Sequence, residues 1–161
     1  MSFRIEKKLF IKKENFFEFK KKLLEKGVKQ IFKNRKVNSL YFDNNKKDMF
    51  QDSLEGLTPR KKIRIRNYPD DKRKIFFLET KISSVEGRFK TNKKISNAAC
   101  EIFKKKGIFD DRYGICRPIL SVKYDREYLK KEDVRITLDY NIIYKLHNNR
   151  VIRSCLLYTS P

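Results

Sequence analysis

Residues 61–68 read Lys-Lys-Ile-Arg-Ile-Arg-Asn-Tyr, and this strict alternation dictates a β-strand. Lys62, Arg64, Arg66 and Tyr68 fall on one face, Ile63 and Ile65 on the other. A polar turn at 69–72 and a second run over 74–82, with Glu79 and Lys81 sharing a face, complete a hairpin. A half-buried antiparallel sheet normally shows water a mixed polar face. Here the polar faces are largely cationic, in Arg4/Glu6/Lys8, Lys62/Arg64/Arg66, Glu79/Lys81, Arg88/Lys90, Arg126 and Arg135/Thr137/Asp139. The opposite faces carry Ile5/Leu9, Ile63/Ile65 and Ile136/Leu138, which suit packing against amphipathic helices.

Those helices are legible too. Phe16, Phe17, Phe19, Leu23 and Leu24 form a stripe over 14–26 that Gly27 closes, and Ser96 and Gly107 bracket a second helix over 96–106. Residues 46–55 read as a short helix or turn before Gly56. Further strands are predicted over 3–11, 37–43, 87–94, 119–128, 134–140 and 142–146. With no internal repeat or linker in 161 residues, the fold class is α+β: one domain of mostly antiparallel strands with two or three helices outside.

Lys and Arg number 41 against 20 acidic residues, a formal net charge of +21 that favours polyanionic partners. Lysine runs such as 20–22 and 104–106 read as solvated helix faces, so the strand-borne arginines carry the functional argument. Thirteen Phe and eight Tyr supply a core. No apolar run reaches the ~18 residues of a membrane span, and the N-terminus has no signal-peptide core, so the expected location is cytoplasmic. Cys100, Cys116 and Cys155 lack CxxC spacing and read as reduced packing residues; His147 reads as a surface-loop residue. No Walker-type glycine loop, kinase loop or metalloprotease motif is present.

Two arrangements satisfy the pattern. The cationic faces can lie open to solvent or nucleic acid. Alternatively, the sheet curls so that they converge on a wet interior receiving a polyanion, since unpaired charges in a dry core cost several kcal/mol each. Phosphate suits such an interior, because arginine's fork matches its oxygens bidentately.

In chain order, Arg4-Ile5-Glu6-Lys7-Lys8, Ser39-Leu40-Tyr41-Phe42-Asp43, Arg64-Ile65-Arg66-Asn67-Tyr68, Phe77-Leu78-Glu79-Thr80-Lys81, Tyr124-Asp125-Arg126 and the run 134–139 resemble the VTC domain. This is the polyphosphate polymerase branch of the triphosphate tunnel metalloenzymes, relatives of the CYTH phosphatases. The resemblance implies an antiparallel β tunnel lined by basic residues, in which the ATP γ-phosphoryl group passes to growing inorganic polyphosphate with a divalent metal, Mn²⁺ or Mg²⁺. It implies catalytic roles for Arg64, Arg66, Lys81 and Arg126. Lys8, Lys90, Arg88 and Arg135 would hold the phosphate chain, and Glu6 would touch the metal. Glu6 matches the second glutamate of the superfamily's ExExK signature while Arg4 replaces the first, which suits the VTC branch better than the phosphatases. Glu79 can contact metal or pair with neighbouring cations.

Family members continue with strands bearing an acidic metal ligand and another lysine, which residues 147–161 do not match. The expectation is a partial domain over 1–153 with a non-matching tail at 154–161, a metal site and tunnel incomplete at the C-terminus, and catalysis in doubt. The expected partners are inorganic polyphosphate and nucleoside triphosphate, without specific nucleic-acid binding. A metal-dependent triphosphatase, a polyphosphate-binding module and a nucleic-acid-binding basic protein are the competing readings.

Overall fold

The computed structural model describes residues 7–147, 151–153 and 157–160. Arg4, Glu6 and Cys155 lie outside the described residues. The strands are β1 (Leu9–Ile11), β2 (Lys29–Asp43), β3 (Arg60–Asn67), β4 (Phe76–Ser83), β5 (Arg88–Ile95), β6 (Ile108–Asp110), β7 (Gly114–Lys131), β8 (Val134–Leu146), β9 (Val151–Arg153) and β10 (Leu157–Ser160). The α-helices are α1 (Phe16–Glu25), α2 (Asp48–Leu54) and α3 (Asn97–Lys106). The hydrogen-bonded order is β1-β10-β8-β7-β2-β3-β4-β5, with β6 on β7 and β9 on β8; among the described residues the path does not close. The fold is α+β and mainly antiparallel. None of the described helices is long and apolar enough to cross a membrane.

The chain divides into two compact units. The first comprises Met1–Val37, Lys123–Ile143 and Arg153–Pro161. Its core joins Val28, Leu129 and Leu138 to Phe16, Phe19, Leu23 and Ile136, whereas Phe17 and Leu24, expected on the same stripe, stay exposed because they lie at its flanks. Gly27 ends α1 at φ 80°, a left-handed conformation that glycine adopts without a Cβ penalty, and the Val28 amide then donates to the Leu23 carbonyl at 3.1 Å. In the lysine run, Lys21 and Lys22 stay exposed, whereas Lys20 reaches buried Glu127 at 2.8 Å.

The second unit comprises Asn38–Val122 and Tyr144–Ile152. Phe42, Met49, Ile63, Ile65, Cys100, Tyr113 and Cys116 form its buried core, with Leu40, Leu78, Ile95 and Phe103 around them. The isoleucine face of β3 is therefore the inner one. Lys61, on that same face, ends on buried Asp110 at 2.6 Å and ties β3 to β6. Ser96 caps α3 by accepting the Ala99 amide at 3.1 Å. The first amides of α2 find oxygen upstream: Asn44 Oδ1 accepts from Asp48, and the Asp43 carboxylate accepts from Met49 and Phe50. Burial pushes the Cys116 thiol up to about 11, in keeping with a reduced packing residue.

Several boundaries differ from the sequence expectation. β2 begins at Lys29 rather than 37, because 29–36 are all exposed and carry no apolar period to betray a strand. β7 extends over 114–131, and the segments expected at 134–140 and 142–146 are one strand in which Asn141 adopts φ 53°. Residues 157–160, within the expected tail, form β10 between β1 and β8.

Candidate functional site

The site follows from register. β2, β3, β4 and β5 are neighbours, with Tyr41 opposite Arg64, Arg64 opposite Glu79, and Glu79 opposite Asn92. Because side chains alternate, β3 presents Arg60, Lys62, Arg64 and Arg66 on the face opposite the core. On that face β4 adds Glu79 and Lys81, and β5 adds Arg88, Lys90 and Lys94. Among the described residues of these three strands, one carboxylate faces eight cations.

Glu79 is the hub. It is 4% exposed, and its oxygens take Arg64 (Nε 2.7 Å, Nη2 2.6 Å) and Lys90 (2.9 Å), with Arg66 at 3.9 Å. Burial alone would raise its pKa, but the Lys90 hydrogen bond and the charges of Arg64 and Arg66 outweigh it and hold the carboxyl below the usual glutamate value. Arg64 also donates from Nη1 to the Tyr41 hydroxyl at 2.9 Å, its guanidinium 5.7 Å from the ring centroid. Burial pulls the Arg64 pKa down, yet Tyr41 and Glu79 together leave it raised. Arg66, 8% exposed, donates to Ser39 Oγ at 3.1 Å.

Two guanidinium groups are thus held in fixed orientations by a strand-borne carboxylate, a tyrosine and a serine. Lys81, Arg88 and Lys90 are more exposed. Such a face can neutralise a linear polyanion lying across three strands, with oriented guanidinium forks in the middle and more exposed cations beyond.

The remaining expected cations belong to the first unit. Arg126 on β7 grips Asp139 on β8 through Nε (2.5 Å) and Nη2 (2.6 Å) and lies 5.1 Å from the Tyr124 ring centroid. Burial lowers the Arg126 pKa, but Asp139 and Tyr124 reverse this and raise it. Asp139 is thus a salt-bridge partner of Arg126. Arg135 is exposed, 5.7 Å from the Tyr128 ring centroid, with Arg35 at 5.9 Å from the same ring. Lys8 is exposed immediately before β1.

Tyr41 and Ser39 enter the sequence analysis only as part of the SLYFD motif, with no site role. Both share a face of β2 with partners directly across in β3, so pairing the SLYFD and RIRNY motifs antiparallel exposes their positioning role. For a resident divalent metal, no group of three or more His, Cys, Asp or Glu exists among the described residues. Both Glu79 oxygens and both Asp139 oxygens are already taken by cations. The described donors therefore do not fit a protein-held cation, and Glu6 lies outside them.

The family profile described as VTC domain matches residues 3–156. No curated protein matches the chain. Among solved structures, a candidate adenylate cyclase from Bacillus halodurans aligns with TM-score 0.65 at 16% identity, over 97% of this chain and 78% of that one. A candidate adenylate cyclase from Vibrio parahaemolyticus aligns with TM-score 0.58 at 15% identity, over 98% and 75%. A Pyrococcus horikoshii protein aligns with TM-score 0.55 at 16% identity, over 97% and 77%. These likenesses establish a shared fold. With the cationic strand motifs in their expected order and the profile spanning nearly the whole chain, the protein belongs to the VTC domain family.

Proposed function

We propose that the β3–β5 face binds a chain of phosphoryl groups, and that the activity it serves is polyphosphate synthesis from ATP. The carrying observation is the imbalance of one carboxylate, Glu79, among eight in-register cations. Phosphoryl transfer asks for little covalent help, and positioning and charge neutralisation lower most of the barrier. In this reading Arg64 and Arg66 align the ATP γ-phosphate with the terminal phosphate of the acceptor. An acceptor oxygen forms the new P–O bond as the bond to the β-phosphate oxygen breaks, and ADP leaves. The acceptor is already anionic, so no general base is required. Lys81, Lys90 and Arg88 bind the flanking phosphates. Within its own unit, Arg126 is set by Asp139 to present a fixed cation, and Arg135 and Lys8 add exposed ones.

Two structural neighbours are candidate adenylate cyclases, and a cyclase or a triphosphatase would hold a triphosphate by the same charge logic. The products separate the three. The protein is incubated with ATP and Mn²⁺ or Mg²⁺, and phosphorus NMR follows the reaction. Long-chain phosphate with ADP supports the polymerase, whereas orthophosphate alone or cyclic AMP with pyrophosphate rejects it. No turnover, with tight polyphosphate binding lost in Arg64→Ala, rejects synthesis by this chain and retains the binding face.

A further inference from the structure

The second unit carries another basic hollow, of about 400 Å³, whose lining includes none of the strand-face cations. Its walls come from separate elements: Lys47 ahead of α2, Lys104 and Lys105 at the end of α3, Arg117 on β7, and His147 after β8. We propose that this hollow is a second binding site for a condensed phosphate of two or three phosphoryl groups, independent of the strand-face reading.

Three observations carry it. First, the one carboxylate among the described residues of the lining, Asp43, is 1% exposed and turned onto backbone amides of Asn44 (2.8 Å), Met49 (3.1 Å) and Phe50 (2.9 Å). Lys104 is paired with Glu101 at 2.7 Å, which leaves Lys47, Lys105 and Arg117 as the principal attraction for an anion. Second, the walls are fixed to one another. Gly107 follows α3 at φ 89°, where an added Cβ would lie 2.8 Å from the Cys116 carbonyl oxygen, 2.9 Å from Ile115 Cγ2 and 3.4 Å from Arg117 Cγ. The end of α3 therefore sits hard against β7, holding Lys104 and Lys105 close to Arg117. At the other end, the His147 amide donates to the Ile119 carbonyl at 3.0 Å. Third, Lys47 is held at φ 61°, a left-handed conformation unfavourable for a residue with a Cβ. It persists because the Asn44 carbonyl and the α2 amides fix the turn, and it places an ammonium on the rim. An arginine fork with lysines around a small polar hollow is the chemistry of phosphate recognition.

Inorganic triphosphate is titrated calorimetrically into the intact chain and into two double variants. Lys105→Gln/Arg117→Gln removes two of the three principal charges of the hollow; Arg64→Ala/Arg66→Ala removes the two guanidinium groups at the centre of the strand face. Two classes of site are expected in the unaltered protein. The first variant loses one class, by on the order of tenfold per charge removed, and the second leaves that class intact. An isotherm unchanged by Lys105→Gln/Arg117→Gln overturns the proposal whatever Arg64→Ala/Arg66→Ala does, whereas loss only in the latter concerns the strand face alone. Should the first variant melt early, Lys47→Gln gives the same reading, with about tenfold loss expected and no loss overturning. Vesicles containing phosphatidylinositol phosphates distinguish the source of phosphate. Retention on vesicles without binding of free triphosphate also overturns the proposal.

Discussion

Replacing Glu79 with Gln separates the two things this carboxylate does. It sits 4% exposed among Arg64 at 2.6 Å, Lys90 at 2.9 Å and Arg66 at 3.9 Å, so Glu79→Gln strands two largely buried guanidinium groups. Removing one partner of a buried pair costs about 3–5 kcal/mol. The lower end applies, because Arg64 keeps the Tyr41 hydroxyl, Arg66 keeps Ser39, and the half-exposed Lys90 ammonium regains water. About 3 kcal/mol in a domain of this size lowers Tm by roughly 6–12 °C. The same change removes the only negative charge on the face among the described residues of β3–β5. At an effective dielectric near 20, after salt screening, this strengthens triphosphate binding by roughly tenfold. Triphosphate should therefore raise the Tm of Glu79→Gln more than that of the unaltered protein, measured by thermal melts with and without ligand. An unchanged Tm, or a smaller ligand-induced rise in the variant, would refute the reasoning.

Glu79 also sets a pH dependence. Its carboxyl titrates below the usual value when folded, so its stabilisation is fully present above the unfolded glutamate pKa of about 4.3 and is lost as pH falls through the lower folded value. Urea melts from pH 6 downward should show this loss, with a flatter profile in Glu79→Gln. Arg126→Ala leaves Asp139, 9% exposed, without its bidentate partner and should cost about 3 kcal/mol by urea unfolding. A cost below 1 kcal/mol would mean water already shields Asp139. Gly107→Ala sets a Cβ against the Cys116 carbonyl at a left-handed φ and should cost about 2 kcal/mol or more, read as an earlier melt. Tyr41→Phe should weaken triphosphate binding severalfold with little change in Tm, because it frees one arm of Arg64 without opening the core.

Much of the second unit could be read from alternation alone. Ile63 and Ile65 face the core, Arg64 and Arg66 face away, and the 61–82 hairpin has the expected strands, because a period of two leaves a strand only one way to bury its isoleucines. Ser96 and Gly107 marked the ends of α3 because caps are local chemistry. The start of β2 was invisible for the converse reason: 29–36 bury nothing, so pairing is not recorded in their polarity.

What the amino-acid order determined by itself was which side chains share a strand face and that the face is cationic, since these depend on near neighbours and net charge. Only the tertiary structure decided who pairs with whom. It took cross-strand register to bring Glu79 to Arg64 and Lys90, to set Tyr41 and Ser39 behind the arginines, and to seat α3 against β7 at Gly107. Those contacts join residues on different elements, and a side chain's charge names no partner until folding sets the distance.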